Sequence, residues 1–199
     1  MALGLTVENE FQKREAPMST PIPVDQPFVL LCTVQSQGGP YAIQANPAGG
    51  FGLSLQPFDP SFKTPTQQFV ARMQNNVDSN GNVIASGIAF VNLGSSTGAA
   101  LNSVTFQSNR QPLIMESWSG SSQDQDAWSV NYIPGQGIQI GLPHDTNVRW
   151  NDFGGNGNLN DPIYAWDGGG QNTVWQVILA PQQSTIKAKG TLETAGVAR

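Results

Sequence analysis

One cysteine, one histidine and few charges define this 199-residue chain by what it lacks. Cys32 alone cannot form an internal disulfide, so the fold must rest on its own core, and the chain is long enough to bury one. Cys32 lies in the apolar run Phe28–Val34, which reads as a buried small hydrophobe rather than a nucleophile. Stability without disulfides fits a reducing compartment. His144 and Cys32 together cannot make an ordinary zinc site, and neither metal nor cofactor is expected. Charged residues are 12% of the chain, about half the ~25% of ordinary soluble domains. Nine basic against fourteen acidic residues give a net charge of −5. That balance argues against nucleic acid as a partner, since phosphate backbones are bound by clustered Lys and Arg. No run of about 18 apolar residues exists, so no membrane span is expected. Met1–Gln26 lacks the basic start and apolar stretch of a signal peptide, and no Asn-X-Ser/Thr acceptor occurs. These readings together predict a soluble protein, cytoplasmic or released without a signal peptide.

Polarity comes instead from neutral amides, 19 Gln and 16 Asn, which suit hydrogen bonding to uncharged polar ligands. The 22 glycines and 14 prolines argue against a helical bundle and for short strands joined by turns. Twelve such runs follow one another: 28–34, 41–45, 52–56, 69–73, 83–91, 103–107, 113–116, 128–133, 137–141, 148–150, 163–166 and 174–179. Each is bounded by Gly, Pro, Asn, Asp or Ser. Asn80-Gly81 is a hairpin turn signal where positive φ is needed. No segment carries a sustained helical stripe. The pattern predicts an all-β sandwich or barrel over residues 27–181, with an N-terminal arm at 1–26 and a C-terminal arm at 182–199.

The run of strands is repetitive. Gln56-Pro57-Phe58-Asp59 precedes Thr66-Gln67-Gln68-Phe69. Gln111-Pro112-Leu113-Ile114-Met115-Glu116-Ser117-Trp118 precedes Gln125-Asp126-Ala127-Trp128. Asp161-Pro162-Ile163-Tyr164-Ala165-Trp166-Asp167 precedes Asn172-Thr173-Val174-Trp175. Each is a Pro-led strand with an aromatic, followed about ten residues later by a polar start to an aromatic-bearing strand. The terminal aromatics Phe69, Trp128 and Trp175 are 59 and 47 residues apart. Three copies of a four-strand unit make the same twelve strands.

The third copy, Ile163-Tyr164-Ala165-Trp166, Asp167-Gly168-Gly169-Gly170-Gln171, Asn172-Thr173-Val174-Trp175, resembles a subdomain of the ricin-type (R-type) lectins. Their pattern is Val-X-Leu-Trp, a Gly-rich turn, then Asn-Gln-X-Trp; Thr173 stands where the family has Gln. An earlier Leu-Asp pair of the family is matched by Trp150-Asn151, Leu101-Asn102 and Ile43-Gln44, none of which keeps the Asp. The resemblance implies a β-trefoil of three pseudo-repeats of four short strands. It also implies a non-catalytic lectin for galactose- or N-acetylgalactosamine-type glycans.

The chemistry of such a site is simple. A pyranose offers an apolar C–H face to an aromatic ring and a rim of hydroxyls to carboxylates and amides. By resemblance, Trp166 is the platform, Asn172 the amide, and Asp152 with Asn151 the acceptors, with Asp167 beside them. A weaker second site comprises Asn102, Trp118 and Gln125. Trp118 lies ten residues before Trp128, whereas Trp166 lies nine before Trp175, and a one-residue slip reverses the face of a strand. The first copy offers Gln44, Phe58 and Thr66, with Asp59 its one carboxylate. Phe69, Trp128 and Trp175 are expected to point inward as a core layer. Weak single sites imply several sites, or a homo-oligomer, for useful avidity.

Enzyme signals are bland by comparison. Gly94-Ser95-Ser96-Thr97-Gly98 matches a nucleophile-elbow pattern but lacks its strand–turn–helix context, and reads as a Ser/Gly loop. His144 sits beside Asp145 in a Pro143-led loop. Asp78-Ser79-Asn80-Gly81-Asn82 begins like a calcium loop without its closing Glu, and reads as a hairpin turn. Gly154-Gly155-Asn156-Gly157-Asn158 has no following Lys and reads as a flexible loop bordering the third site. Two alternatives to a lectin remain, because one fold serves several kinds of defence protein. One is a trefoil protease inhibitor acting through loops at Asn92–Ala99 and Gly154–Asn160. The other is the cell-targeting component of a toxin.

Overall fold

The computed structural model describes residues 22–34, 38–46, 52–118 and 126–181. Thirteen strands run in order: β1 (Pro27–Cys32), β2 (Tyr41–Ala45), β3 (Leu53–Pro57), β4 (Phe69–Val77), β5 (Val83–Thr97), β6 (Ala100–Thr105), β7 (Gln111–Pro112), β8 (Ile114–Ser117), β9 (Ser129–Ile133), β10 (Gly137–Gly141), β11 (Val148–Asp152), β12 (Ile163–Asp167) and β13 (Trp175–Leu179). Every run read from the sequence is present. Among the described residues the only helical turns are short 3-10 pieces at Pro65–Gln67 and Gln171–Thr173, so no helix is long and apolar enough to cross a membrane.

Six strands close a barrel. β1 pairs with β13 and β4, β4 with β5, and β10 with β9 and β13. The last gap is closed by a reciprocal bridge: Ile88 N–H donates to Trp128 O at 2.8 Å, and Trp128 N–H to Ile88 O at 3.0 Å. Gly87 allows this approach, since a Cβ there would lie 2.4 Å from Trp128 O. Three hairpins, β2–β3, β6–β8 and β11–β12, cap one end of the barrel. They bond to one another through Gly52 to Leu113, Leu113 to Ile163, and Leu55 to Asp161. Six barrel strands and three capping hairpins in threefold order are a β-trefoil.

The turn chemistry explains the connections. Asp78 accepts the backbone N–H groups of Asn80 and Asn82, and Gly81 takes φ +83°, closing the β4–β5 hairpin as the sequence implied. Gly98 at φ +63° turns β5 into β6. The predicted Ser/Gly loop Gly94–Gly98, and with it the Asn92–Ala99 stretch, is therefore a hairpin: Asn92–Thr97 is the end of β5, pairing Ser96 with Leu101 and Thr97 with Ala100, and only Gly98–Ala99 form the turn. The physical reason is that Asn92 donates to the carbonyls of Thr66 and Gln68, and Gly94 packs bare against the backbone of Pro65 and Thr66.

Phe69, Trp128 and Trp175 are fully buried, as expected. The ring contacts extend from Trp128 alone of these three, through other residues, and are mostly edge-to-face. Phe28 meets Phe90 at 6.1 Å, Phe90 meets Trp150 at 4.9 Å, Trp150 meets Trp128 at 5.3 Å, and Trp128 meets Phe106 at 6.4 Å. Trp150 is thus the centre of the core. Cys32 is buried in it, as its setting predicted, and burial pushes its thiol up to about 12. Residues 22–26 lie against the barrel: Ile22 enters the core, Val24 bridges Ala71, and Asp25 pairs with Arg72. The rest of the predicted arms lies outside the described residues.

Candidate functional site

Register, not spacing, decides which residues correspond among the copies. Ile43 faces Leu55, Val104 faces Met115 and Trp150 faces Ala165 across their hairpins. With the buried Leu53, Leu113 and Ile163 in line, Trp166 corresponds to Gln56 and Glu116. Trp118 falls two residues further on, at the position of Gly168. The residues matching Trp150-Asn151 in copy two are Val104-Thr105, which corrects the match to Leu101-Asn102.

The second site is accordingly not built as the third is. The Asn102 side chain is buried, donating to Ser95 Oγ at 3.0 Å and accepting from Thr97 Oγ1 at 2.9 Å. The Trp118 indole donates to Gln74 Oε1 at 3.1 Å, and Gln125 lies outside the described residues. In copy one, Gln44 accepts from Gln67, and Phe58 packs edge-on to Phe62. Asp59 accepts from Ser61, Lys63 and Thr64, bonds that hold its carboxyl well below the ordinary range and commit it to its own turn.

Copy three is different. Arg149 faces Trp166 and Asn151 faces Tyr164, so these four share the outer face of the β11–β12 hairpin. Phe153, at the end of β11 and 45% exposed, stacks on Tyr164 at 4.4 Å and 21° and meets Trp166 at 6.3 Å. Arg110 lies over the other flank of Trp166, 5.3 Å from the ring centroid. It grips Asp167 with two bonds, Nε to Oδ1 at 2.9 Å and Nη2 to Oδ2 at 3.1 Å. That ion pair, with a further hydrogen bond from the Asn109 side chain, keeps the Asp167 carboxyl below its usual range; the Asp167 backbone N–H in turn donates to Asn109 Oδ1. Asn172 donates to Asn151 Oδ1 at 2.9 Å and to Asp152 O at 3.3 Å. The structure therefore brings Asn151, Trp166 and Asn172 together on the outer face of the hairpin, while Asp167, which pairs with the buried Val148, meets the edge of that face through Arg110.

Asp152 is the exception. It is fully buried, at the register position that holds Phe106 and Ala45 in the other copies. Its Oδ2 accepts the Gly157 N–H at 2.7 Å, while among the described residues Oδ1 has no partner. Burial, then the nearby Asp161 carboxylate, pushes its pKa up to about 6. An acceptor sealed in this way cannot meet a ligand hydroxyl; its role is to hold the 153–161 loop. That loop is built rather than loose. Gly154, Gly155 and Gly157 take φ of +97°, +70° and +61°, and Asn158 N–H is held by Asp161.

The sequence reading missed Phe153, Tyr164 and Arg110. Tyr164 and Trp166, two apart on one strand, share a face by simple alternation and were findable. Arg110 reaches Trp166 only because Gln111–Pro112 pairs with β12. The enzyme signals carry no reactive arrangement. Ser95 is buried with its hydroxyl bonded to Asn102, and His144 is an exposed turn residue.

No protein-family profile matches the chain, and no curated protein matches its sequence. Solved structures share the fold. A designed threefold-symmetric protein, ThreeFoil, aligns at 15% identity and TM-score 0.52 over 76% of this chain and 97% of its own. A Macrolepiota procera ricin B-like lectin, solved with lactose, aligns at 11% identity and TM-score 0.53 over 80% and 99%. A mosquitocidal holotoxin aligns at 13% identity and TM-score 0.55 over 79% of this chain but 18% of its own. At these identities the likeness establishes the fold, a β-trefoil.

Proposed function

We propose that this protein is a non-catalytic lectin whose main site is the outer face of the β11–β12 hairpin. Its ligand is a neutral glycan of the galactose or N-acetylgalactosamine type. One observation carries the reading: Phe153, Tyr164 and Trp166 form a contiguous, partly exposed aromatic surface edged by Asn172, Asn151 and the Arg110–Asp167 pair. Rings of this kind accept the C–H face of a sugar, and amides and a charged rim address its hydroxyls. Asp167 takes the acceptor role that Asp152 cannot, because its carboxylate is exposed and each oxygen can accept more than its one Arg110 bond.

The test is a glycan array with the purified protein and Trp166→Ala. Galactose-type binding lost in a folded variant supports the reading, and a blank array with folded wild type overturns it. The mosquitocidal holotoxin, whose chain extends far beyond its trefoil, supports one further possibility of context: the same site serving as the cell-targeting part of a toxin. Protease inhibition loses one of its two proposed loops, since Asn92–Thr97 is strand.

A further inference from the structure

One row of paired residues crosses four strands. Ser129 on β9 faces Gly141 on β10, Gly141 faces Arg149 on β11, and Arg149 faces Trp166 on β12. Paired residues project to the same face. Beside Trp166, therefore, the same surface continues into a groove of about 360 Å³ over β9, β10 and β11. Gly141 opens its floor. Asn131, Gln139 and Thr146 line it with neutral polar groups.

Arg149 is the sole charged residue lining the groove. The described residues carry four basic side chains, Lys63, Arg72, Arg110 and Arg149. Arg72 is paired with Asp25 and Arg110 with Asp167; Arg149 belongs to neither ion pair. Its Nε donates to Thr146 O at 2.7 Å, which pins one edge of the guanidinium. Nη1 lies so close to Gly169 that a Cβ there would come within 2.8 Å, so the glycine leaves the room this pose requires. An arginine that is pinned, half-buried and without a carboxylate partner among the described residues, in a chain of net charge −5, has its remaining fork of donors unspent. A planar carboxylate matches that fork better than any neutral group.

The neutral groups define what is attached to the carboxylate. Gln139 donates to Thr173 Oγ1 and keeps its carbonyl free, and Ser129 donates to the Gly141 carbonyl and keeps its lone pairs. These acceptors suit hydroxyls, and the Trp166 surface lies next along the row. We propose that the Arg149 groove is a second subsite that binds the carboxylate of an acidic sugar, a uronic or a sialic acid, beside the neutral sugar at Trp166. The proposal rests on the reading of this face as a glycan site.

Titration calorimetry with two acid–neutral pairs and methyl β-D-galactoside tests it. Methyl β-D-glucuronide is compared with methyl β-D-glucoside, and the methyl glycoside of N-acetylneuraminic acid with its neutral methyl ester. Wild type is expected to prefer at least one acid over its neutral counterpart by about tenfold at low salt, and which pair shows it distinguishes the two sources. The preference shrinks in roughly 0.5 M salt. Arg149→Gln abolishes it, while the neutral counterparts and the galactoside still bind. Arg149→Lys, which keeps charge without the fork, retains part of it and carries the test if Arg149→Gln does not fold. Equal binding of acids and neutral counterparts by wild type, or a preference that survives Arg149→Gln, overturns the proposal. Galactosides that fail to bind wild type overturn the Trp166 reading separately, whatever the acids do.

Discussion

The carboxylate of Asp152 accepts the backbone N–H of Gly157 at 2.7 Å inside the core, so a residue that resembles a sugar ligand is instead the anchor of a loop. Gly157 in turn meets Val34, and Cys32 lies just beyond. The charge on Asp152 is held in a place that resists it.

That arrangement predicts an unusual pH response. An unfolded Asp titrates near ~3.9, whereas folded Asp152 titrates at about 6. The folded state therefore binds the extra proton between these values, and stability from this group falls as pH rises from about 4 to 6, then levels. Asp152→Asn keeps the acceptor for Gly157 without the charge. Its stability relative to wild type should rise by about 2 kcal/mol between pH 4 and pH 7, measured by denaturant unfolding. Asp152→Ala, which loses the acceptor, should be less stable than the Asn variant at every pH.

Gly157→Ala should destabilise by about 2 kcal/mol or more. The added Cβ would lie 2.1 Å from Val34 O, at φ +61°. Thermal unfolding checks this; an unchanged Tm would mean the loop is not seated as described.

Two tryptophans separate core from site. Trp150→Ala should cost about 3–5 kcal/mol, because its ring contacts both Phe90 and Trp128 and is fully buried. Trp166→Ala, on a half-buried outer face, should cost about 1 kcal/mol while removing glycan binding. Denaturant midpoints and glycan titrations on both variants decide it.

Arg110→Gln should weaken glycan binding several-fold with little change in stability. The exposed pair with Asp167 contributes little to folding, but Arg110 fixes the rim carboxylate and covers one flank of Trp166. Trp118→Ala should leave glycan binding unchanged, since its indole is spent on Gln74 in a copy whose platform position is Glu116.

Much of the architecture is local and so was legible. Strand boundaries follow Gly, Pro and Asn, the Asn80-Gly81 turn follows from positive φ, and the aromatics Phe69, Trp128 and Trp175 at three strand starts announce the threefold repeat, although of the three Pro-led stretches only β12 carries its aromatic within a strand. Trp128 and Trp175 declare themselves as core by recurring at the start of a strand. The site was half legible for the same reason. Tyr164, Trp166 and Asn172 lie within one hairpin and the turn that follows it.

Sequence alone thus determined the strands, their threefold grouping and the aromatic third copy, because these depend on propensities and spacings within a few residues. Tertiary structure decided which face each residue shows. Side chains alternate along a strand, so the register of distant pairings put Trp118 two places beyond the platform, turned Asp152 inward, set Arg110 over Trp166 and left Arg149 in an open groove.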